Sequence, residues 1–143
     1  MDCIELGIEL IQKSYNPVVL NMASHKRPGG GYMTGAGAQE ENIFRRSNYF
    51  QHLQDFEKKY PMNGAIYSPD VVVFRSNEDP DAYAMLKSPI RMSFVAVAAF
   101  AHPKTIEIMK NGVKTKELDK DAAMKTKQKI RYIVRKTKTI SKY

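Results

Sequence analysis

The sequence predicts an α/β domain in which helices cover a mixed sheet, and three observations carry that expectation. Amphipathic stretches alternate with short, β-branched apolar runs along the chain. A glycine-rich segment separates one such run from an acidic helix start, the order found where a strand's C-terminal end meets a ligand loop. The length of 143 residues allows one domain with a real core and not two ordinary ones.

Residues 2–13 place Cys3, Leu6 and Leu10 on one helical face, with Ile4, Ile8 and Ile11 adjoining it. Asn16-Pro17 stops that helix, because proline cannot continue the ladder and restricts the residue before it. Residues 17–22 are short and mostly apolar, as a buried strand should be. The stretch holding Pro28, Gly29, Gly30, Gly31, Gly35 and Gly37 can be neither stable helix nor stable strand. A second helix is expected from about Ala38 past Arg46, with Ile43 and Phe44 inward. Residues 65–68 and 71–75 read as two strands around a Pro69-Asp70 turn, and Asn77 to Pro80 as a polar loop. Residues 92–99 read as a central strand buried on both faces. Tyr67 and Phe100 are candidates to face a ligand, with apolar core as the commoner fate for each. The last forty residues offer one helix, roughly 121–135, with Ala122, Ile130, Ile133 and Val134 apolar. A domain over 1–135 and a basic tail over 136–143 follow.

Composition narrows the function classes. The 43% apolar and 27% charged fractions are those of a globular chain. The longest apolar stretch, 94–101, is about half what a membrane span needs. Asp2 and Glu5 near the start do not resemble a basic secretory n-region. A single cysteine, Cys3, excludes an internal disulfide and a Cys-built zinc site, and fits a reducing, intracellular compartment. His25, His52 and His102 share no ligand-like spacing, so neither a metal nor a cofactor is expected. The net charge of +8 sits in the tail: residues 104–143 carry 13 Lys and Arg against 4 Asp and Glu, whereas residues 1–103 carry 10 against 11. That tail is a candidate polyanion contact, with a solvated helix face as its alternative.

The chemistry concentrates in residues 29–41, GGGYMTGAGAQEE. Consecutive glycines let a backbone approach a ligand closely and turn its amides inward, most often toward phosphate. The segment is neither a Walker loop nor a dinucleotide fingerprint, which leaves a flexible turn as an alternative. Glu40 and Glu41 lie about 100° apart on a helix and can address neighbouring points of one ligand. Glycosidic cleavage needs such a carboxyl to protonate the leaving oxygen as the sugar becomes oxocarbenium-like.

Gly29-Gly30-Gly31, seven residues, then Gln39-Glu40-Glu41 resembles the GGG-x(6–8)-QEE signature of poly(ADP-ribose) glycohydrolases. The neighbouring 19–24 and Arg45-Arg46-Ser47 segments are closer to the microbial type, and 64–69, 73–75 and 93–99 resemble that family's next strands. The resemblance spans about 2–135. It implies a macrodomain-like three-layer sandwich, a mixed sheet flanked by helices, here missing its C-terminal strands. By that resemblance the reaction is hydrolysis of ribose–ribose bonds in poly(ADP-ribose) without a metal. Glu41 serves as acid and base, and Glu40 holds the ribose hydroxyls. Gly29, Gly30 and Gly31 line pyrophosphate and ribose, Asn21 and Ser24 border the distal ribose, and Gln39 orients the loop. The family's second phosphate-binding loop, Gly-Cys-Gly-Ala-Phe-like, is absent, and much of its N-terminal helical region is missing. A chain truncated at both ends is expected, with an ADP-ribose-binding module or inactive fragment as the alternative to an enzyme.

Overall fold

The computed structural model describes residues 2–24, 26–56, 60, 64–98 and 103–140. The chain forms two compact units, 1–99 and 100–143. In the first, helix α1 (Cys3–Gln12) leads to strand β1 (Val18–Ala23), a glycine loop, helix α2 (Gln39–Arg46), a 3-10 segment (Tyr49–Phe56), and strands β2 (Ile66–Arg75) and β3 (Met85–Ala98). The sheet order is β1-β3-β2, with β1 parallel and β2 antiparallel to the central strand. This is the mixed α/β architecture the sequence predicts.

α1 starts where it does because the Asp2 side chain accepts hydrogen bonds from the amides of Ile4 and Glu5 at 3.0 and 3.1 Å. Its inward face is not the predicted one. Ile4 and Gly7 are buried, Ile8 and Ile11 pack partly against the core, and Leu6 is 43% exposed. Gly7 lies against the sheet, where a Cβ would meet the Met92 and Val19 side chains at 3.4 Å, an ordinary van der Waals contact. Cys3 stays half-buried, its Sγ accepting from the Gln39 amide at 3.4 Å.

Two other expectations are corrected here. The pair of strands around Pro69-Asp70 is one strand, β2, since Ser68 pairs with Phe94 and Val71 with Met92 of the same β3. Pro69 and Asp70 form a bulge between them, with Asp70 at φ 53°, which is how a proline is tolerated inside a ladder. α2 stops at Arg46 and does not run past it, because Ser47 is extended and bridges Val73.

The first unit's core is built from Ile4, Ile43, Phe44, Tyr49, Val71, Val73 and Phe94, all nearly inaccessible. Aromatic contacts run through it from the loop to the central strand. Tyr32 and Phe44 lie 5.2 Å apart, Phe44 and Tyr49 5.3 Å, Tyr49 and Phe94 5.1 Å. Each such pair contributes roughly 0.5–1.5 kcal/mol beyond its buried area, so the loop is anchored by packing as well as by polar contacts. Arg46, 1% exposed, ties the layer's far end together: its guanidinium donates to Asp2 at 2.6 Å, Asn42 at 3.0 Å and the Arg75 carbonyl at 3.3 Å.

The second unit holds a hairpin, β4 (Thr105–Lys110) and β5 (Val113–Leu118), and helix α3 (Lys120–Ile140). The hairpin was not expected, yet its signal is in the sequence. Asn111-Gly112, with φ 51° and 78°, is the two-residue turn whose twist suits antiparallel strands. α3 continues through the boundary at 135. Its apolar register is also shifted: Ile130 and Val134 are exposed, whereas Ala122, Thr126 and Ile133 are half-buried and Lys129 is buried. Burial lowers the Lys129 pKa below its ordinary value. Phe100, His25, His102 and Tyr143 lie outside the described residues.

Candidate active site

The glycine loop leaves the C-terminal end of β1, where Ala23 is in register with Ala98 at the end of β3. Three features fold it back. A 3-10 turn at Tyr32–Thr34 follows the glycines. Arg45 reaches from α2 to the carbonyls of Tyr32 (3.0 Å) and Ala36 (2.5 Å). Gln39, the first residue of α2, then turns its side chain to the free edge of β1. Its amide accepts from the Met22 N–H and donates to the Leu20 carbonyl, both at 2.8 Å. One side chain thus supplies a donor and an acceptor to an edge of β1 that no strand pairs among the described residues. On the outer edge of β2, the Asn48 side-chain oxygen accepts from the Val72 N–H at 2.8 Å while the Asn48 backbone N–H donates to the Val72 carbonyl at 3.1 Å.

Both glutamates fold back onto the loop, and they do so differently. Glu40, 3% exposed, uses both oxygens. Oε1 accepts from the Tyr60 hydroxyl (2.6 Å), the Gly29 N–H (3.1 Å) and the Asn21 amide (3.3 Å), and Oε2 from the Ser24 N–H (2.6 Å). Four donors around one buried carboxylate are what its burial demands. Glu41, 8% exposed, accepts from the Gly31 N–H at 3.0 Å through Oε1. Among the described residues no hydrogen bond reaches its Oε2.

The glycines are needed for this approach. Gly29 and Gly30 have φ of 77° and 50°, the left-handed region side chains disfavour. A Cβ on Gly29 would sit 2.6 Å from the Phe44 ring, and one on Gly30 2.2 Å from Glu41 Oε1. The amides expected to face a ligand are engaged within the chain: Gly29 with Glu40, Gly31 with Glu41, and Gly30 with the Arg27 carbonyl at 3.2 Å. In this arrangement the carboxylates occupy the place that phosphate takes in other glycine loops.

Of the sequence-derived candidates, Asn21, Ser24, Gly29, Gly31, Gln39, Glu40 and Glu41 are joined by direct hydrogen bonds to the loop, the edge strand or one another, with Gly30 packed against Glu41. Asn21 is fully buried, its amide also donating to Tyr60 at 3.4 Å. Ser24 turns its hydroxyl to the Lys26 N–H at 3.3 Å. Tyr67 instead donates to Ser93 at 2.9 Å. Motif reading missed Tyr60, whose relation to Glu40 exists only in the folded chain. Burial, then its bond to Glu40, raises the Tyr60 pKa well above 10.0. Burial likewise raises that of Tyr49, against the opposing influence of neighbouring Asn21 and Ser68. Beside the loop, a cavity of about 300 Å³ is lined by Arg27, Pro28, Gly30, Tyr32, Met33 and Thr34; Glu41 is not among them.

The family model described as microbial-type PARG, catalytic domain, matches residues 1–76. Solved structures are similar too. Poly(ADP-ribose) glycohydrolase from Deinococcus radiodurans in complex with ADP-ribose is 28% identical, with a TM-score of 0.50 over 68% of this chain and 42% of that one. The enzyme from Thermomonospora curvata bound to the inhibitor ADP-HPD is 31% identical, with a TM-score of 0.47 over 68% of this chain and 40% of that one. The chain therefore spans well under two thirds of these relatives. No curated protein matches it.

Proposed function

Because the chain belongs to the family of microbial-type poly(ADP-ribose) glycohydrolase catalytic domains, we propose that it hydrolyses ribose–ribose O-glycosidic bonds of poly(ADP-ribose), with Glu41 as general acid and base. One observation carries the assignment: Gly31 pins one oxygen of Glu41 and, among the described residues, no hydrogen bond reaches the other, whereas both oxygens of Glu40 are occupied. A carboxyl held at one oxygen can present the other to a leaving group in a fixed direction. Glu41 then protonates the leaving ribosyl oxygen, and as carboxylate takes a proton from the attacking water. The ADP-ribose complex of the Deinococcus radiodurans relative supports an ADP-ribose ligand for this segment.

The geometry supports a different division of labour among the other residues from the one the resemblance implies. Glu40 and Asn21 shape the loop from beneath, and Gln39 fixes where α2 begins. Substrate contact falls to Glu41 and to the outer surface of Ser24 and the glycines. The expected experiment compares wild type with Glu41→Gln on labelled poly(ADP-ribose). Loss of ADP-ribose release with retention of an ADP-ribose-induced thermal shift supports the assignment. Binding without turnover in the wild type refutes it and favours the reader, a reading supported by the engaged glycine amides.

We assign a polyanion contact to α3 on a separate observation. Lys120, Lys127 and Arg131 line one groove with Ala123, Met124 and Gln128, while Lys125 is paired with Asp121 at 2.8 Å. Binding of poly(ADP-ribose) through this face weakens steeply with salt, and a flat salt titration removes it. Among the described residues no helix is long and apolar enough to cross a membrane.

A further inference from the structure

We infer that Tyr60 is a positioning residue of the active segment, acting through Glu40. The inference rests on the glycohydrolase reading for its kinetic consequence and on geometry for the rest. Glu40 is a buried anion that closes the loop, since Oε2 takes the Ser24 N–H before the turn and Oε1 the Gly29 N–H after it. Both ends of the turn are therefore held by one carboxylate, and whatever orients that carboxylate orients the loop. Two side chains do so. Asn21 donates from β1 at 3.3 Å, a long bond, and Tyr60 donates at 2.6 Å, the shortest side-chain bond Glu40 receives.

Tyr60 is 2% exposed, so no bulk water replaces its hydroxyl when it is removed. The ring packs in the same core as Phe44 and Tyr49 and leaves the oxygen one direction to point. From Gly29 the restraint passes to the next two residues. Gly30 bears on Glu41 Oε1, and Gly31 donates to that same oxygen. A tyrosine outside the signature thus sets the place of the catalytic carboxyl without touching substrate.

The test is Tyr60→Phe, which deletes one oxygen and keeps the ring. Amide hydrogen exchange at Ser24 and Gly29 is expected to accelerate about tenfold or more, while amides in the middle of β3 keep their protection. In turnover, kcat is expected to fall about tenfold, the equivalent of one charge-assisted hydrogen bond, with KM barely changed. In a Glu40→Gln background the same substitution has little further effect on either readout. Unchanged exchange at both Ser24 and Gly29 overturns the proposal, as does an effect spread evenly over the sheet. Wild type that releases no ADP-ribose refutes the hydrolase reading, and the exchange data then decide the role of Tyr60 alone. Should Tyr60→Phe fail to fold, the wild-type chain answers by carbon-13 labelling of the Glu40 carboxyl. Its signal shifts on deuteration of the Tyr60 hydroxyl if the bond exists, and a signal blind to deuteration overturns the proposal.

Discussion

Replacing Gly30 by alanine tests the glycine–glutamate contact at its tightest point. The substitution adds a methyl group at φ 50°, where an L-residue costs about 1–2 kcal/mol more than glycine. The methyl would stand 2.2 Å from Glu41 Oε1, closer than any real contact, so the carboxylate must swing away. In doing so it gives up the 3.0 Å bond from the Gly31 N–H, a charged hydrogen bond worth about 1.5–3 kcal/mol. Together these give a local cost of roughly 2.5–5 kcal/mol. Two neighbours separate the causes. Gly35 has φ 88° but open space around its Cβ position, so Gly35→Ala carries the backbone strain alone. Gly37 has open space and no positive φ, and Gly37→Ala should fall within about 0.5 kcal/mol of wild type. Urea denaturation followed by circular dichroism, with amide exchange for the loop, gives the order Gly37, Gly35, Gly30. On the proposed role of Glu41, ADP-ribose release should fall about a hundredfold for Gly30→Ala, because the carboxyl is displaced by more than an ångström. If Gly30→Ala matches Gly35→Ala in both stability and rate, the contact with Glu41 is not what the glycine serves.

Two further outcomes follow from the packing. Arg46→Ala leaves Asp2 without its partner at the head of α1 and removes a buried guanidinium with three acceptors; the expected loss is about 3 kcal/mol in urea melts, and a change below about 0.5 kcal/mol contradicts the role assigned to the pair. Alkaline pH should destabilise the first unit through Tyr49 and Tyr60. Both hydroxyls have folded-state pKa values raised above 10.0, chiefly by burial, so their contribution is complete below pH 10 and is lost as the pH rises beyond it, at about 1.4 kcal/mol per pH unit for each. Tyr60→Phe should flatten that alkaline slope relative to wild type, and an unchanged slope in pH-dependent melts argues against burial as the cause.

How much was legible beforehand depended on the range of each interaction. Helix stops at Asn16-Pro17, the breaks at the glycines and the β-branched runs are local, and α1, β1, α2 and the core of β3 lie where those residues put them. The hairpin was legible as well, in Asn111-Gly112 between runs of alternating polarity, but the density of lysine around it masked the signal. Helical phase was less secure. Periodicity alone favours the face with most apolar residues, and in α1 the face that meets the sheet holds Ile4 and Gly7 and leaves Leu6 exposed. Pro69-Asp70 misled for a similar reason: the residues that form a turn also form a bulge, and only the common partner strand distinguishes them.

For the active segment, the sequence by itself determined which residues could do the chemistry. Three glycines and a Gln-Glu-Glu at fixed spacing already imply a backbone that must come close to something. What it comes close to was decided by tertiary structure. In the folded chain the Gly29 and Gly31 amides close on Glu40 and Glu41, and those two carboxylates separate into one held by four donors and one that, among the described residues, is held at a single oxygen. Tyr60 enters only at this level, because a hydroxyl twenty residues downstream has no periodic relation to Glu40 until the core brings them within 2.6 Å. Spacing along a chain records what neighbours can do together, whereas the assignment of each donor to its acceptor is a property of the packed core.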